Sequence, residues 1–261
     1  AHQSWIGKEV IINPAMNWGE DAGYQNQQIF SILGLPHDGT WAEYVKVPVI
    51  NLCLKPTHLS FEQAAAIPLA GVTAYRGLFS RGKIKSDEKL LITGIGGGVA
   101  LLALQFAIAA NVHVYVNSGS DEKIEKALDL GAKGGVNYRQ QNWFETLKER
   151  AGLMDMILDG TAGDGMNDLF KAVRPGGRVV FYGATLGNPS SIEVRRIFWN
   201  QLNILGTTMG NPQDFQAMID FVNENKFRPV VDEVFDFGQA NEALKKMDEG
   251  RQFGKIVLKI S

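Results

Sequence analysis

Two patterns of hydrophobic and polar positions divide the chain. From Ala1 to about Pro68, short apolar runs are separated by clusters of Gly, Pro, Asn and Asp, and three of the runs predict strands: EVIINP, WAEYVKVP and NLCLKP. The stretch from Asn17 to Leu35 is long and irregular, which predicts either a functional surface loop or a partly disordered one. This part of the chain therefore indicates small β structure rather than βα units.

From about Phe61 onward the pattern changes to alternating helices and strands. Ser60 followed by Gln63 has the spacing of a capping box, and we expect Pro68 and Gly71 to break the following helix into two pieces. Five strand-like runs then alternate with helical runs: KLLIT, VHVYV, GVNY, DMILDG and GGRVVFYGA. Continuous apolar strands alternating with helices predict an α/β fold, a doubly wound parallel sheet covered on both faces.

The last quarter of the chain departs from this alternation. The run LNILGTTMG closes the parallel series, and an amphipathic helix is predicted over residues 212–225. The remaining residues have the pattern of a strand, a helix and a second strand.

Composition and charge exclude several classes of function. The 261 residues are 45% hydrophobic and 21% charged with a net charge of −2, so there is no basic footprint of a nucleic-acid or membrane-surface binder. The longest apolar stretch, residues 99–110, is too short to span a bilayer. With one cysteine, Cys53, no intrachain disulfide can form, which favours a reducing, cytoplasmic compartment. The four histidines are scattered, so no complete metal site is expected.

A glycine cluster between the first strand of the series and its helix predicts a phosphate-binding turn. Its spacing is Gly94-x-x-Gly97-x-x-Ala100, and Gly98 and Val99 open the helix. The first-turn N–H groups of a helix lack helical partners and carry partial positive charge, which suits a pyrophosphate. Because the cluster follows a strand and precedes a helix within one βαβ unit, it indicates dinucleotide binding rather than a flexible turn alone.

The end of the second strand bears on which dinucleotide is bound. NAD sites place a carboxylate there for the ribose, whereas this chain has Asn117, Ser118 and then Lys123. Hydroxyl groups and a cation suit the 2′-phosphate of NADP(H). The alternative is that Ser120 only caps the next helix and Lys123 is a solvated surface residue; the acidic pair at 121–122 counts somewhat against a phosphate.

The motifs in order carry a resemblance to a known family. The β-rich start, IPLAGVTAYRGL, LLITGIGGGVALLALQFA, ILDGTAG, RPGGRVVFYG and FGKIVL together resemble the medium-chain dehydrogenase/reductase superfamily, in its quinone-oxidoreductase-like branch. The resemblance implies a Rossmann domain over residues 75–209 and a GroES-like β domain over 1–74 and 210–261. It also implies that this second domain is partial and lacks its N-terminal part.

The resemblance also bears on zinc and on cofactor contacts. Zinc alcohol dehydrogenases have a ligand cysteine where this chain has Leu69, which favours a zinc-free member. Thr73 resembles a threonine beside the nicotinamide, Tyr138 resembles a tyrosine beside the 2′-phosphate, and Lys255 is a candidate for the cofactor. Strand ends of open sheets hold ligands, which adds four candidates: Gly160, Thr161, Gly183 and Ala184.

These observations together predict an NADPH-dependent reductase of a quinone, enone, aldehyde or ketone. Three alternatives stay open: a zinc-dependent alcohol dehydrogenase, a non-catalytic NADPH-binding protein of the same fold, and an S-adenosylmethionine methyltransferase, against which Asn117 argues. A short-chain dehydrogenase is discarded because no tyrosine of the chain has a lysine four positions later. The sequence assigns no catalytic residue. The resemblance further implies a homodimer that pairs through the strand at 202–209.

Overall fold

The computed structural model of the chain describes residues 3–260 and divides it into two compact units. The first unit consists of the described parts of Ala1–Val72 and Met209–Ser261, and the second is Thr73–Thr208. No helix among the described residues is long and apolar enough to cross a membrane.

The first unit begins with short antiparallel strand pairs. β1 (Val10–Ile12) pairs with β4 (Leu52–Leu54), and β2 (Ala15–Met16) pairs with β3 (Ser31–Ile32). The long segment between β2 and β3 packs on a small apolar cluster around Trp18, whose indole N–H donates to the carbonyl of Asp21. The segment predicted as a loop therefore has an ordered anchor of its own.

The prediction of a strand over WAEYVKVP is wrong. These residues are irregular, and no strand of the described chain pairs with them. Trp41 is 55% exposed and Tyr44 is 90% exposed. Alternating apolar residues favour a strand only where a neighbouring strand and a buried face are present, and here neither is.

Two helices follow, with boundaries close to those predicted. α1 (Phe61–Ala65) is capped by Ser60 and Gln63, which form the predicted capping box, and α2 (Pro68–Tyr75) begins at Pro68. Gly71 does not break α2, contrary to prediction. A Cβ at Gly71 would lie 2.7 Å from Sδ of Met218, so this glycine allows the side chain of Met218, from a later helix, to pack closely against α2. The chain continues from α2 as a π-helical turn over Arg76–Arg81.

The second unit is a six-stranded parallel sheet with helices between its strands. In chain order its elements are β5 (Lys89–Ile92), α3 (Gly98–Ala109), β6 (His113–Ser118), α4 (Asp121–Asp129), β7 (Gly134–Asn137), α5 (Trp143–Ala151), β8 (Met154–Asp159), α6 (Met166–Ala172), β9 (Val173–Phe181), α7 (Val194–Trp199) and β10 (Asn203–Gly206). The strand order β10-β9-β8-β5-β6-β7 is that of the doubly wound Rossmann fold. The predicted fold class is confirmed.

The strand order places a crevice at a defined position. Successive strands run outward from β5 to β7 and then return to β8 on the other side of β5, so the order reverses between β5 and β8. Ligands of open α/β sheets lie outside the carboxyl ends of the strands at such a reversal. The loops that follow β5, β6 and β8 are therefore the ones to examine for a site.

The chain closes in the first unit. α8 (Pro212–Glu224) begins with a capping box between Asn211 and Asp214. β11 (Val231–Asp236) and β12 (Lys255–Lys259) then pair in parallel, joined through α9 (Ala240–Asp248). The predicted succession of strand, helix and strand is confirmed.

Candidate cofactor-binding site

The glycine cluster forms a tight turn between β5 and α3. Gly94 has φ of +62° and Gly96 has φ of +116°, conformations that side chains with a Cβ rarely adopt. Gly97 is the N-cap of α3 and supplies no side chain to cap the helix. The first-turn N–H groups, which begin at Gly98 and Val99, are therefore left for another acceptor. This geometry fits the oxygen atoms of a pyrophosphate.

Asn117 holds this turn in place. Its side-chain oxygen accepts a hydrogen bond from the Gly94 N–H at 2.9 Å, and its backbone carbonyl accepts one from the Ile95 N–H at 2.9 Å. The side chain is 4% exposed. The residue type at position 117 thus serves the conformation of the glycine turn, and it says less about the choice of cofactor than the sequence suggested.

The residues after Asn117 form the next part of the site. Ser118 ends β6, and its hydroxyl accepts from the Ser120 N–H at 3.2 Å. Ser120 caps α4 by accepting from the Lys123 N–H, as the alternative interpretation of this serine predicted. A Cβ at Gly96 would lie 2.8 Å from Cδ of Lys123. The aliphatic part of Lys123 therefore lies against the glycine turn, which brings its charge to the candidate phosphate site.

A second wall comes from the end of β7. Asn137 pairs with Ser118, and the Tyr138 N–H donates to the Ser118 carbonyl at 3.1 Å, so β7 delivers the following residues beside the end of β6. A Cβ at Gly119 would lie 2.8 Å from the Tyr138 hydroxyl and 2.9 Å from Nε of Arg139. Sequence reasoning singled out Tyr138 and missed Arg139, for which the one signal was a basic residue directly after the tyrosine.

The two acidic residues near this cluster have partners elsewhere. The Asp121 carboxylate accepts from the side-chain amide of Asn137 at 2.8 Å. Glu122 forms an ion pair with Lys126 at 2.7 Å, and the hydrogen bond from Lys126 lowers the pKa of Glu122. The cation of Lys126 offsets the charge of Glu122, whereas Asp121 keeps its charge because its donor is an uncharged amide.

A buried carboxylate organises the reversal point between β5 and β8. Asp159 is completely buried and accepts from the Thr93 hydroxyl, from the Thr161 hydroxyl at 2.7 Å and from the Ala162 N–H at 2.7 Å. Ala162 has φ of +52°, a conformation that costs an alanine roughly 1–3 kcal/mol and that the bond to Asp159 holds in place. Sequence reasoning missed Asp159, although an aspartate that ends a buried strand was visible in MILD.

The remaining strand-end candidates surround Asp159. Gly160 follows it directly, and Gly183 and Ala184 lie in the exposed turn after β9, where the Thr185 N–H donates to the Gly160 carbonyl at 3.2 Å. Tyr182 lies against Gly160, and burial followed by the charge of Asp159 raises the pKa of its hydroxyl. The turns after β8 and β9 thus meet at one place.

A cavity of about 570 Å³ opens across these strand ends. Five of its lining residues lie at or just after the carboxyl ends of five successive strands of the second unit: Thr93, Asn117, Tyr138, Thr161 and Thr185. The segment between β7 and α5 and part of α6 form its outer wall. Of the predicted residues, Tyr138 and Thr161 line the cavity; the glycine turn, Ser118 and Lys123 adjoin it through the contacts described above.

Two predicted cofactor residues, Thr73 and Lys255, are not among the residues that line this cavity. Thr73 lies in α2, is 5% exposed and is the first residue of the second unit. Lys255 begins β12 in the first unit, and burial lowers the pKa of its ammonium group. Their roles toward a cofactor stay predictions.

Two positions bear on whether the chain binds zinc: Leu69 and the single cysteine, Cys53. Leu69, at the position expected for a zinc-ligating cysteine, is 45% exposed and lines a separate cavity of about 330 Å³ in the first unit. Cys53 donates to the side-chain oxygen of Gln216 at 3.3 Å, and burial together with the charge of Asp220 raises the pKa of its thiol to about 11. Within residues 3–260 no group of three or more His, Cys, Asp and Glu side chains is placed to hold a metal ion.

Comparison with known proteins agrees with this geometry. Residues 98–224 match the model of the zinc-binding dehydrogenase family. A zinc-type alcohol dehydrogenase-like protein of Leptosphaeria maculans is 35% identical over 277 residues, which include 100% of this chain and 77% of that protein. The chain belongs to the medium-chain dehydrogenase/reductase superfamily. It is therefore an oxidoreductase by family.

Solved structures of this superfamily superimpose closely on the chain. A crystal structure of an NAD-dependent alcohol dehydrogenase is 35% identical in sequence and has a TM-score of 0.91. The superposition covers 98% of this chain and 76% of that chain. A 2-octenoyl-CoA carboxylase reductase in complex with NADP and 2-octenoyl-CoA is 25% identical in sequence and has a TM-score of 0.88. The superposition covers 97% of this chain and 62% of that chain. The superfamily thus includes close structural relatives named for either dinucleotide.

Proposed function

We propose that this oxidoreductase uses NADPH to reduce a quinone, an enone, or an aldehyde or ketone, and that it does so without zinc. The observation that carries the choice of NADPH is the set of residues around the end of β6: Ser118 ends the strand, Tyr138 lies beside Gly119, and Lys123 lies against the glycine turn at Gly96. Hydroxyl donors and a cation suit a phosphate, and no carboxylate ends β6 to bind an unphosphorylated ribose.

Each part of the site has a distinct role in this proposal. The turn at Gly94, Gly97, Gly98 and Val99 holds the pyrophosphate through backbone N–H groups. Asn117 and Asp159 keep the turns after β5, β6 and β8 in the required conformation. The turns at Gly160, Thr161, Gly183 and Ala184 border the middle of the cofactor. NADPH, when bound, supplies a hydride from C4 of its nicotinamide, and the acceptor takes up one proton.

The zinc-free part of the proposal rests on the residue at position 69. A leucine side chain has no atom that can ligate a metal. Without zinc, the negative charge that develops on the substrate oxygen is stabilised by hydrogen-bond donors instead. The carboxylase reductase that shares the fold of this chain is in complex with NADP and 2-octenoyl-CoA, which supports the proposed NADPH-dependent reduction of an enone.

The test is steady-state NADPH oxidation by the intact protein with quinones, enones, aldehydes and ketones as acceptors. We expect turnover with at least one acceptor class, and turnover that persists after extensive dialysis against a chelator. Binding of NADPH without turnover in any class would favour the non-catalytic alternative and contradict the enzymatic part of the proposal.

Zinc-dependent alcohol oxidation with NAD is the second candidate, and the names of the relatives favour it. Metal analysis of the protein separates the two. The proposal expects much less than one zinc per chain, whereas a stoichiometric zinc whose removal abolishes alcohol oxidation would replace it.

We also propose that the protein is a homodimer. β10 lies at one edge of the sheet, pairs with β9 alone among the described strands, and exposes 40% of Ile204. An open edge strand of this kind can pair with its copy across a two-fold axis. Light scattering at micromolar concentration should give the mass of a dimer; the mass of a monomer would contradict this.

A further inference from the structure

We propose that Arg139 is a second cation for the 2′-phosphate of NADPH, and that Gly119 keeps the space in which Arg139 and Tyr138 reach it. This inference rests on the proposed function and names a specificity residue of the same site. It starts from the close approach of two strand ends, which sequence spacing did not reveal.

The first step is the position of Arg139. β7 is parallel to β6, with Ser118 opposite Asn137, so the residues that leave the two strands emerge side by side. The Arg139 N–H donates to the side-chain oxygen of Asn137 at 3.0 Å, which fixes the backbone just past the strand. Arg139 lines the cavity of about 570 Å³ described above. Arg139 therefore belongs to the wall of the candidate site, and its Nε lies beside Gly119.

The second step is the absence of a side chain at position 119. Gly119 does not have a positive φ, so its backbone conformation does not require glycine. A Cβ there would meet the Tyr138 hydroxyl at 2.8 Å, Nε of Arg139 at 2.9 Å and Cζ of Tyr138 at 3.0 Å. Real Cβ atoms are essentially never this close to such atoms, so any larger residue would displace both side chains from the end of β6.

The third step is the charge around Arg139. No ion pair joins Arg139 to a carboxylate among residues 3–260, and the nearby Asp121 is hydrogen-bonded to Asn137. Lys123 lies in α4 with its side chain against Gly96 of the glycine turn. Two cations, the Tyr138 hydroxyl and the Ser118 hydroxyl suit a phosphate dianion, since guanidinium groups bind phosphate oxygens through two parallel N–H bonds.

The experiment isolates this subsite with two fragments of the cofactor. Binding of adenosine 2′,5′-bisphosphate and of 5′-AMP is measured by calorimetry at low ionic strength for the wild type, Arg139→Ala, Gly119→Ala and Arg150→Ala. Arg150 is an exposed arginine of α5 and serves as the matched control. Melting temperatures of all four proteins verify that they are folded.

We expect Arg139→Ala to weaken binding of the bisphosphate about tenfold and binding of 5′-AMP less than twofold. Gly119→Ala should weaken the bisphosphate severalfold, and Arg150→Ala should change neither ligand. If Arg139→Ala leaves the bisphosphate affinity unchanged, or weakens both ligands equally, the inference is overturned. If the wild type itself does not prefer the bisphosphate over 5′-AMP, the proposed use of NADPH falls as well, so the two failures are distinguishable.

Discussion

The two ends of the six parallel strands use charge in opposite ways. At the amino end, charged side chains pair with each other: Arg178 with Glu88, and Arg174 with Asp155 at 2.6 Å. At the carboxyl end, Arg139 lines the candidate cavity and Lys123 lies against the glycine turn, while Asp121 and Glu122 bind Asn137 and Lys126. Ion pairs between residues of the sheet stabilise the fold, whereas Arg139 lines the candidate cavity with no carboxylate partner among residues 3–260, which indicates an anionic ligand.

The comparison makes a prediction for each end. Substitutions at the amino end should reduce stability and leave cofactor affinity unchanged. Substitutions of the cations at the carboxyl end should weaken cofactor binding and leave stability unchanged. Asp159 is the exception at the carboxyl end, because its completely buried carboxylate accepts hydrogen bonds from uncharged donors of the fold.

The largest effect on stability is expected from Asp159→Ala. The variant leaves the hydroxyls of buried Thr93 and half-buried Thr161 and the N–H of buried Ala162 without their acceptor, at a cost of about 3 kcal/mol in the free energy of unfolding. Urea unfolding measures this cost. Asp129→Ala, at an exposed position of α4, is the matched control and should stay within about 0.5 kcal/mol of the wild type. A similarly small cost for Asp159→Ala would contradict the role of this carboxylate.

The next effect is on affinity alone. Lys123→Ala should weaken NADPH binding at least tenfold, about 1.4 kcal/mol, because one cation of the phosphate site is lost. Binding of NADH and the melting temperature should change little. Fluorescence titration with both cofactors measures the difference, with Lys133→Ala as an exposed control. An equal loss for NADPH and NADH would show that Lys123 does not recognise the 2′-phosphate.

The smallest effect is expected from Asp155→Asn at the amino end. Burial raises the pKa of Asp155, but the hydrogen bonds from the Lys89 N–H and from Arg174 outweigh it, so the pKa lies below its ordinary value. The variant should lose about 1 kcal/mol of stability at neutral pH with no change in NADPH affinity.

The pH dependence of that loss is a further check. A carboxyl group with a lowered pKa in the folded state contributes stability above its unfolded pKa and loses it as the pH falls through the folded pKa. The difference in unfolding free energy between the wild type and Asp155→Asn should therefore be constant near neutral pH and shrink below about pH 4. A difference that is unchanged at low pH would mean that the charge of Asp155 is not what stabilises the fold.

Features of the fold that depend on residues close in sequence were predicted correctly, whereas a feature that depends on a distant partner was not. The alternation of strands and helices, the Ser60 capping box and the glycine turn depend on neighbouring residues, and all were predicted from spacing. The strand predicted at WAEYVKVP fails because pairing requires a partner strand elsewhere in the chain.

The site shows the same division. Ser118 and Lys123 lie in one turn and could be singled out together. Arg139 and Asp159 were missed because their significance depends on contacts between strands: the approach of β7 to Gly119, and the donors that converge on Asp159 from β5 and β8. From the sequence alone, Asn117 favours NADPH over NADH. In the structure its side-chain oxygen accepts from the Gly94 N–H, so Asn117 holds the glycine turn in place.

The central claim is that the end of β6 selects the phosphorylated dinucleotide. Its most direct test is the ratio of the dissociation constants of the wild-type protein for NADH and NADPH, titrated by fluorescence in the same buffer at low and at physiological ionic strength. We predict that NADPH binds at least tenfold tighter at low ionic strength and that the ratio narrows as salt screens the phosphate contacts. Equal affinities, or tighter binding of NADH, would contradict the claim.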